Sequence, residues 1–152
     1  MLIKQGEIMF VQPYVNFDGC CEEAIAFYRK ALGAEVVMLM RFKDFPVEPG
    51  STANRPLPEF AERVMHACLR IGNSTICVSD GRNQGKATFR GIMLSLSVDH
   101  DAEAARIYAA LSDGGTVTMP LARTFFSSSF GMVTDRFGVG WMVAVSAPAA
   151  AS

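Results

Sequence analysis

The sequence predicts an α+β fold of two βαβββ modules, and three observations predict it. The order strand, helix, strand, strand, strand can be read twice along the 152 residues. The two helical segments carry the same apolar face, Ala24-x-x-Phe27-Tyr28-x-x-x-Leu32 and Ala104-x-x-Ile107-Tyr108-x-x-Leu111. Two matching hairpins turn on Arg70-Ile71-Gly72 and Arg136-Phe137-Gly138, each followed by an apolar strand. Length agrees, since 152 residues make a single domain of two half-units. That domain is 1–152, with one module at 8–80, a second at 91–146 and a tail at 147–152.

Phe10–Phe17 reads as a β run ending at Asp18-Gly19, a turn or helix-start signal. Cys21–Leu32 has helical spacing with Gly33 as its stop, and Glu35–Phe42 reads as a strand. Asp44–Glu62 holds Pro46, Pro49, Pro56 and Pro58, which exclude a central strand or a helix interior. Arg63–Ile71 and Ser74–Ser79 are strands joined by Gly72-Asn73. In the second module Gly91–Val98 is a strand, Asp101–Leu111 a helix and Gly115–Met119 a strand. Phe130–Asp135 and Val139–Val145 form a hairpin. Asp80-Gly81 and Asp135-Arg136 read as turn chemistry, Ser127-Ser128-Ser129 as a mobile loop, and Ser146–Ser152 as a frayed tail.

Half the residues are apolar and 19% are charged, so the chain can bury a core. Fourteen basic and fifteen acidic side chains leave a net charge of −1, which argues against a nucleic-acid partner. Every apolar run is interrupted well short of the ~20 residues that a membrane span needs. The N-terminal stretch MLIKQGEIMF has no apolar leader pattern, so the expected location is the cytoplasm. Of the four cysteines, none forms a C-x-x-C pair, so zinc-knuckle and thioredoxin-type motifs are lacking. Cys20 and Cys21 lie at a helix start with nothing nearby to mark a reactive thiolate. No G-x-S-x-G elbow, phosphate loop or G-x-G-x-x-G follows a strand, and no glycine-rich strand–loop–helix would hold S-adenosylmethionine. Nine methionines and eleven phenylalanines are the compositional oddity.

The doubled pattern resembles the vicinal oxygen chelate superfamily of glyoxalases, bleomycin-resistance proteins and dioxygenases, and more narrowly its PhnB-like branch. The residues that carry the resemblance begin with Gln12-Pro13-Tyr14-Val15-Asn16-Phe17 and Ala24-Ile25-Ala26-Phe27-Tyr28-x-x-x-Leu32-Gly33-Ala34. Val64-Met65-His66-Ala67 follows, and then Gly131-Met132-Val133-Thr134-Asp135-Arg136-Phe137-Gly138-Val139-x-Trp141-Met142-Val143. The resemblance implies curved mixed sheets around a ligand cavity, and a homodimer.

Strand alternation assigns the faces. Val11, Pro13, Val15 and Phe17 share one face of the first strand, and Gln12, Tyr14 and Asn16 the other. Ile92, Leu94, Leu96 and Val98 oppose Met93, Ser95 and Ser97, while Trp141, Val143 and Val145 oppose Met142 and Ala144. A two-residue loop at Gly72-Asn73 sets Ile71 opposite Ser74, Cys68 opposite Cys77 and His66 opposite Ser79. The expectation for the cysteines is a reduced cross-strand pair. The polar faces line the cavity, so the expected ligand-binding residues are Gln12, Tyr14, His66, Cys77, Met93, Ser95 and Met142.

The metal-using relatives, by resemblance, place four ligands on equivalent strands, and these positions fall on Gln12, at or beside Cys77, and on Met93 and Met142. A thioether is soft and neutral and ill suited to an oxygen-and-imidazole site, so no metal and no cofactor is expected. Gln12, His66 and Cys77 are the alternative donors for a divalent ion. Each residue also has a structural reading: His66 as a hydrogen-bonded strand residue, Gln12 as partner to buried polar groups, the methionines as flexible filler. Three functions follow. The first is a protein that binds a small molecule. The second is a metal-dependent lyase, isomerase or dioxygenase using Gln12 and His66. The third has His66 as a general base without metal. Asp44–Glu62 and Arg82–Arg90 are expected rims or lids of the cavity.

Overall fold

Helix α1 (Cys21–Leu32) starts and stops where its sequence pattern says. Gly33 ends it because the chain turns there into the left-handed region, φ 65°, with the Gly33 N–H donating to the Arg29 carbonyl at 3.1 Å. Its start has no cap from Cys20. Asp80, far along the chain, supplies one: the Gly19 and Cys21 N–H groups both donate to Asp80 Oδ1 at 2.9 Å. The other oxygen accepts from the Val64 N–H at 2.8 Å, so one buried carboxylate holds a helix start and a strand start together.

The structure, a computed structural model, describes residues 8–45, 58–81 and 86–146. The first sheet comprises β1 (Tyr14–Asn16), β2 (Glu35–Arg41), β3 (Val64–Ile71) and β4 (Ser74–Ser79), in the order β1-β4-β3-β2. The second comprises β5 (Met93–Val98), β6 (Thr116–Ala122), β7 (Phe130–Thr134) and β8 (Gly140–Val145), in the order β5-β8-β7-β6, with α2 (Asp101–Ser112) between β5 and β6. In each sheet the first strand pairs in parallel with the last, and the other pairings are antiparallel. Two βαβββ units with mixed four-stranded sheets are thus present, as the sequence predicts. The chain folds as two compact units, one built on β1–β4 and the other on β5–β8.

Alternation decides what each unit buries. In the first, Val64, Ala67, Leu69, Ile76 and Val78 are buried, as are Ala24, Ile25 and Tyr28 of α1. In the second, α2 lies across all four strands and buries Ala104, Ile107 and Leu111, while Val133, Trp141, Val143 and Val145 are buried in the sheet. Glycine at 131 permits the close approach of α2. A Cβ there would stand 2.8 Å from Tyr108 Cε2 and 3.0 Å from Leu121 Cα. Gly131→Ala is expected to destabilise the fold by roughly 1–3 kcal/mol through overpacking, read as a lower denaturation midpoint at unchanged slope.

The departures from expectation have local causes. The β run at 10–17 shrinks to Tyr14–Asn16, and Val11 is 94% exposed instead of sharing the buried face. Proline 13 lacks an N–H, and only its carbonyl joins the ladder, accepting from the Cys77 N–H at 3.0 Å. Ile92 likewise precedes β5 and is exposed. Strand β6 runs past its predicted end through Pro120 to Ala122, with a register irregularity there. Proline is tolerated because β6 is an edge strand.

Ser127-Ser128-Ser129 is held by hydrogen bonds. The buried Ser127 hydroxyl lies 2.8 Å from the Val145 carbonyl, and those of Ser128 and Ser129 donate to Asp101 Oδ1. Those two hydroxyls draw the Asp101 carboxyl below its ordinary range. Much of the proline-rich segment (46–57), part of the 82–90 loop (82–85) and the tail from 147 lie outside the described residues. No helix among the described residues is long and apolar enough to cross a membrane.

Candidate functional site

On the first sheet, one row of paired residues crosses all four strands: Tyr14 with Cys77, Cys77 with Cys68, and Cys68 with Met38. Paired residues point to one face, so this row shares the face opposite the one that Ala67, Leu69 and Val78 bury. His66, two residues along β3 from Cys68, joins the same face and pairs with Met40. The Tyr14 and His66 rings stack at 5.5 Å, and Tyr14 Oη lies 3.0 Å from His66 Nδ1. His66 Nε2 stands 3.5 Å from Cys68 Sγ, and Gln12 Oε1 stands 3.9 Å from Cys77 Sγ. Three of the residues expected at the site, Tyr14, His66 and Cys77, therefore gather on one sheet, and Gln12, just before β1, reaches Cys77.

The Gly72-Asn73 register is as predicted, with Ile71 opposite Ser74 and Cys68 opposite Cys77. The state of the cysteines differs. Cys68 and Cys77 are joined as a disulfide, in place of the reduced pair expected from sequence. Direct opposition on one face, with Cα atoms 4.1 Å apart, is what brings the two sulfurs together. Cys20 and Cys21 stay free, and burial pushes both thiols above their ordinary range, Cys21 far above it.

The second sheet presents the other three expected residues. Ser95 pairs with Met142, Met142 with Met132, and Met132 with Met119, again a row across four strands. Met93 stands next to this row on β5, its Cγ 3.2 Å from where a Cβ on Gly140 would lie. Four thioethers and the small polar groups Ser95 and Thr134 thus share a face, and no charged side chain stands at those positions. Met93 is 39% and Met119 42% exposed, while Met132 and Met142 are half-buried. Sequence reading found Met93 and Met142 and missed Met132 and Met119. The signal was there for Met132, two residues before Thr134 on a strand whose alternate positions, Gly131 and Val133, are buried.

The superfamily's usual divalent metal does not fit these residues. At the positions that the resemblance makes equivalent to its ligands, Cys77 is in a disulfide and Met93 and Met142 offer neutral, soft sulfur. Gln12 alone supplies an oxygen donor, and one such donor does not hold a hard ion.

Two mixed-sheet βαβββ units define a protein of the glyoxalase type of fold. The chain belongs to the Glyoxalase/Bleomycin resistance protein/Dioxygenase superfamily, whose family model matches residues 12–143. It is 37% identical to protein YjdN of Escherichia coli over 142 residues, covering 90% of this chain and 95% of that one. Among solved structures it is similar to protein PA1353 from Pseudomonas aeruginosa, at 38% identity and a TM-score of 0.79, covering 91% and 98% of the two chains. A PhnB protein from Bacillus cereus shares the fold at 22% identity and a TM-score of 0.70, covering 91% of this chain and 100% of that one.

Proposed function

We propose that this protein is a PhnB-like binding protein of the superfamily, a homodimer that seats a small, largely apolar molecule on the open face of the β5–β8 sheet. The row Met142–Met132–Met119, with Met93 beside it, carries the reading. An open sheet face with no binding role is ordinarily polar, because water solvates it. Methionines there offer long, unbranched, polarizable side chains that repack around ligands of irregular shape, and Ser95 and Thr134 add hydroxyls that orient a polar group.

The dimer has separate support. Edge strands β2 and β6 expose Val36, Val37, Leu39 and Val117, with Val37 61% accessible, and Ile8, Met9, Phe10 and Val11 are exposed before β1. Apolar edges of that kind are ordinarily covered by a partner. Sedimentation equilibrium is expected to give twice the chain mass.

Titration with the apolar fluorophore 1-anilinonaphthalene-8-sulfonate tests the binding face. Saturable enhancement is expected for the native chain, and affinity about tenfold weaker for Met142→Asp, a loss of ~1.4 kcal/mol. Equal affinity in both proteins would overturn the assignment of the ligand to this face.

A further inference from the structure

We propose that His66, Cys68 and Cys77 form a Cys2His site for a thiophilic ion of the Zn²⁺ class, which the Cys68–Cys77 disulfide closes and reduction opens. The site lies on the β1–β4 sheet and stands independently of the methionine face on the other.

The three side chains already converge. Their ligand atoms all lie within 4.8 Å of one another. Tetrahedral zinc with bonds of about 2.3 Å to sulfur and 2.0–2.1 Å to nitrogen needs donors roughly 3.5–3.8 Å apart. His66 Nε2 is 3.5 Å from Cys68 Sγ, inside that range. Once the S–S bond is broken, the two sulfurs need only move apart to it by small side-chain rotations, because their Cα atoms stay fixed by the β3–β4 ladder.

Tyr14 sets the imidazole for this task. In the tautomer whose Nδ1–H donates to Tyr14 Oη, 3.0 Å away, Nε2 carries the lone pair and faces Cys68 Sγ. A hydrogen bond on the far nitrogen of a ligating histidine fixes its tautomer and raises its basicity. The ring stacking of Tyr14 on His66 holds the same orientation. Two thiolates balance the charge of a divalent ion, and the neighbours Gln12, Tyr14, Met38 and Met40 are neutral. Thiolate donors select against Mg²⁺ and Ca²⁺. Gln12 Oε1 lies 3.9 Å from Cys77 Sγ, so it or a water could take the fourth position. Three protein ligands with the fourth position open is the arrangement of catalytic rather than purely structural zinc.

The switch needs an oxidant, and a low-molecular-weight disulfide such as oxidised glutathione supplies it. One thiolate attacks the glutathione disulfide, expelling a first glutathione thiolate and leaving a mixed disulfide. The second protein thiolate then displaces the other glutathione. The protein pair loses two electrons, oxidised glutathione gains them and takes two protons to become two reduced glutathiones, and the metal ion is released.

The test uses the whole chain and Co²⁺ as a spectroscopic stand-in for Zn²⁺. Protein is reduced with tris(2-carboxyethyl)phosphine, desalted under anaerobic conditions and titrated with Co²⁺. One equivalent is expected to bind, with thiolate-to-cobalt charge transfer and tetrahedral d–d bands, and Zn²⁺ to displace it. Oxidised protein is expected to show neither band, and oxidised glutathione to erase them from the loaded protein with release of two reduced glutathiones. His66→Ala is expected to lose the tetrahedral d–d pattern. Tyr14→Phe is expected to bind about tenfold more weakly, as loss of an outer-shell partner does. Reduced native protein that takes up no Co²⁺ with thiolate bands overturns the proposal. So does a charge-transfer band that survives in the Cys68→Ser/Cys77→Ser double variant, which would place the metal on Cys20 and Cys21. The comparison of oxidised with reduced native protein decides the question even if a cysteine variant does not fold.

Discussion

Replacing Asp80 with alanine is expected to cost about 3–5 kcal/mol of stability, a large part of what a domain of this size possesses. The Asp80 carboxylate is 2% exposed and accepts three backbone N–H bonds, from Gly19, Cys21 and Val64, at 2.8–2.9 Å. Alanine leaves three backbone donors without their acceptor, at a helix start that has no side-chain cap of its own. Each unsatisfied buried group costs roughly 1–3 kcal/mol, and partial relaxation keeps the total below the sum. Asp80→Asn, with the same shape, keeps one acceptor oxygen but turns an amide donor toward a backbone N–H, so an intermediate loss is expected. Urea unfolding of the three proteins checks the order. Equal midpoints for native protein and Asp80→Ala would show that the carboxylate does not hold these elements.

Asp135→Ala is expected to cost a comparable ~3 kcal/mol, through a different element. The Asp135 carboxylate is also 2% exposed, but it closes the β7–β8 hairpin: Oδ1 accepts from the Phe137 and Val139 N–H groups, and Oδ2 from Trp141 Nε1 at 2.9 Å. The indole is buried, so this bond lies away from bulk solvent. A double-mutant cycle with Trp141→Phe isolates it. A coupling of about 1.5–3 kcal/mol is expected, the range for a hydrogen bond to a charged group. Additive losses would contradict a direct bond. The strand that carries Trp141 also carries Met142 on its other face, so loosening the hairpin also disturbs the methionine row.

Short-range signals made much of the fold legible. The helix period and Gly33 delimit α1, and the Gly72-Asn73 turn sets the β3–β4 register that puts Cys68 opposite Cys77. Partnership was harder to read. The apolar run at 10–13 satisfies a strand pattern, yet β1 forms only where β4 offers a ladder. Proline 120 argues against a strand unless β6 is known to be an edge, and that depends on the sheet order. Asp80 and Asp135 both read as turn residues because the donors that meet their carboxylates are set by the tertiary fold. The site was split in the same way. Alternation put Met93 and Met142 on one face, but the neighbours Met132 and Met119 follow from pairings across loops of unequal length. The register of the cysteines was legible, and their oxidation state was not, because a sequence carries geometry but no redox potential.

If an apolar small molecule binds the methionine face without the superfamily's usual metal, the thioether methyls themselves must report it. The decisive measurement is a carbon-13 titration of protein labelled at its methionine methyl groups, with 1-anilinonaphthalene-8-sulfonate added in excess EDTA. The expected result is saturable shifts of the Met93, Met119, Met132 and Met142 methyls. Shifts that occur only when a divalent metal is restored, or that leave those four methyls unmoved, would contradict it.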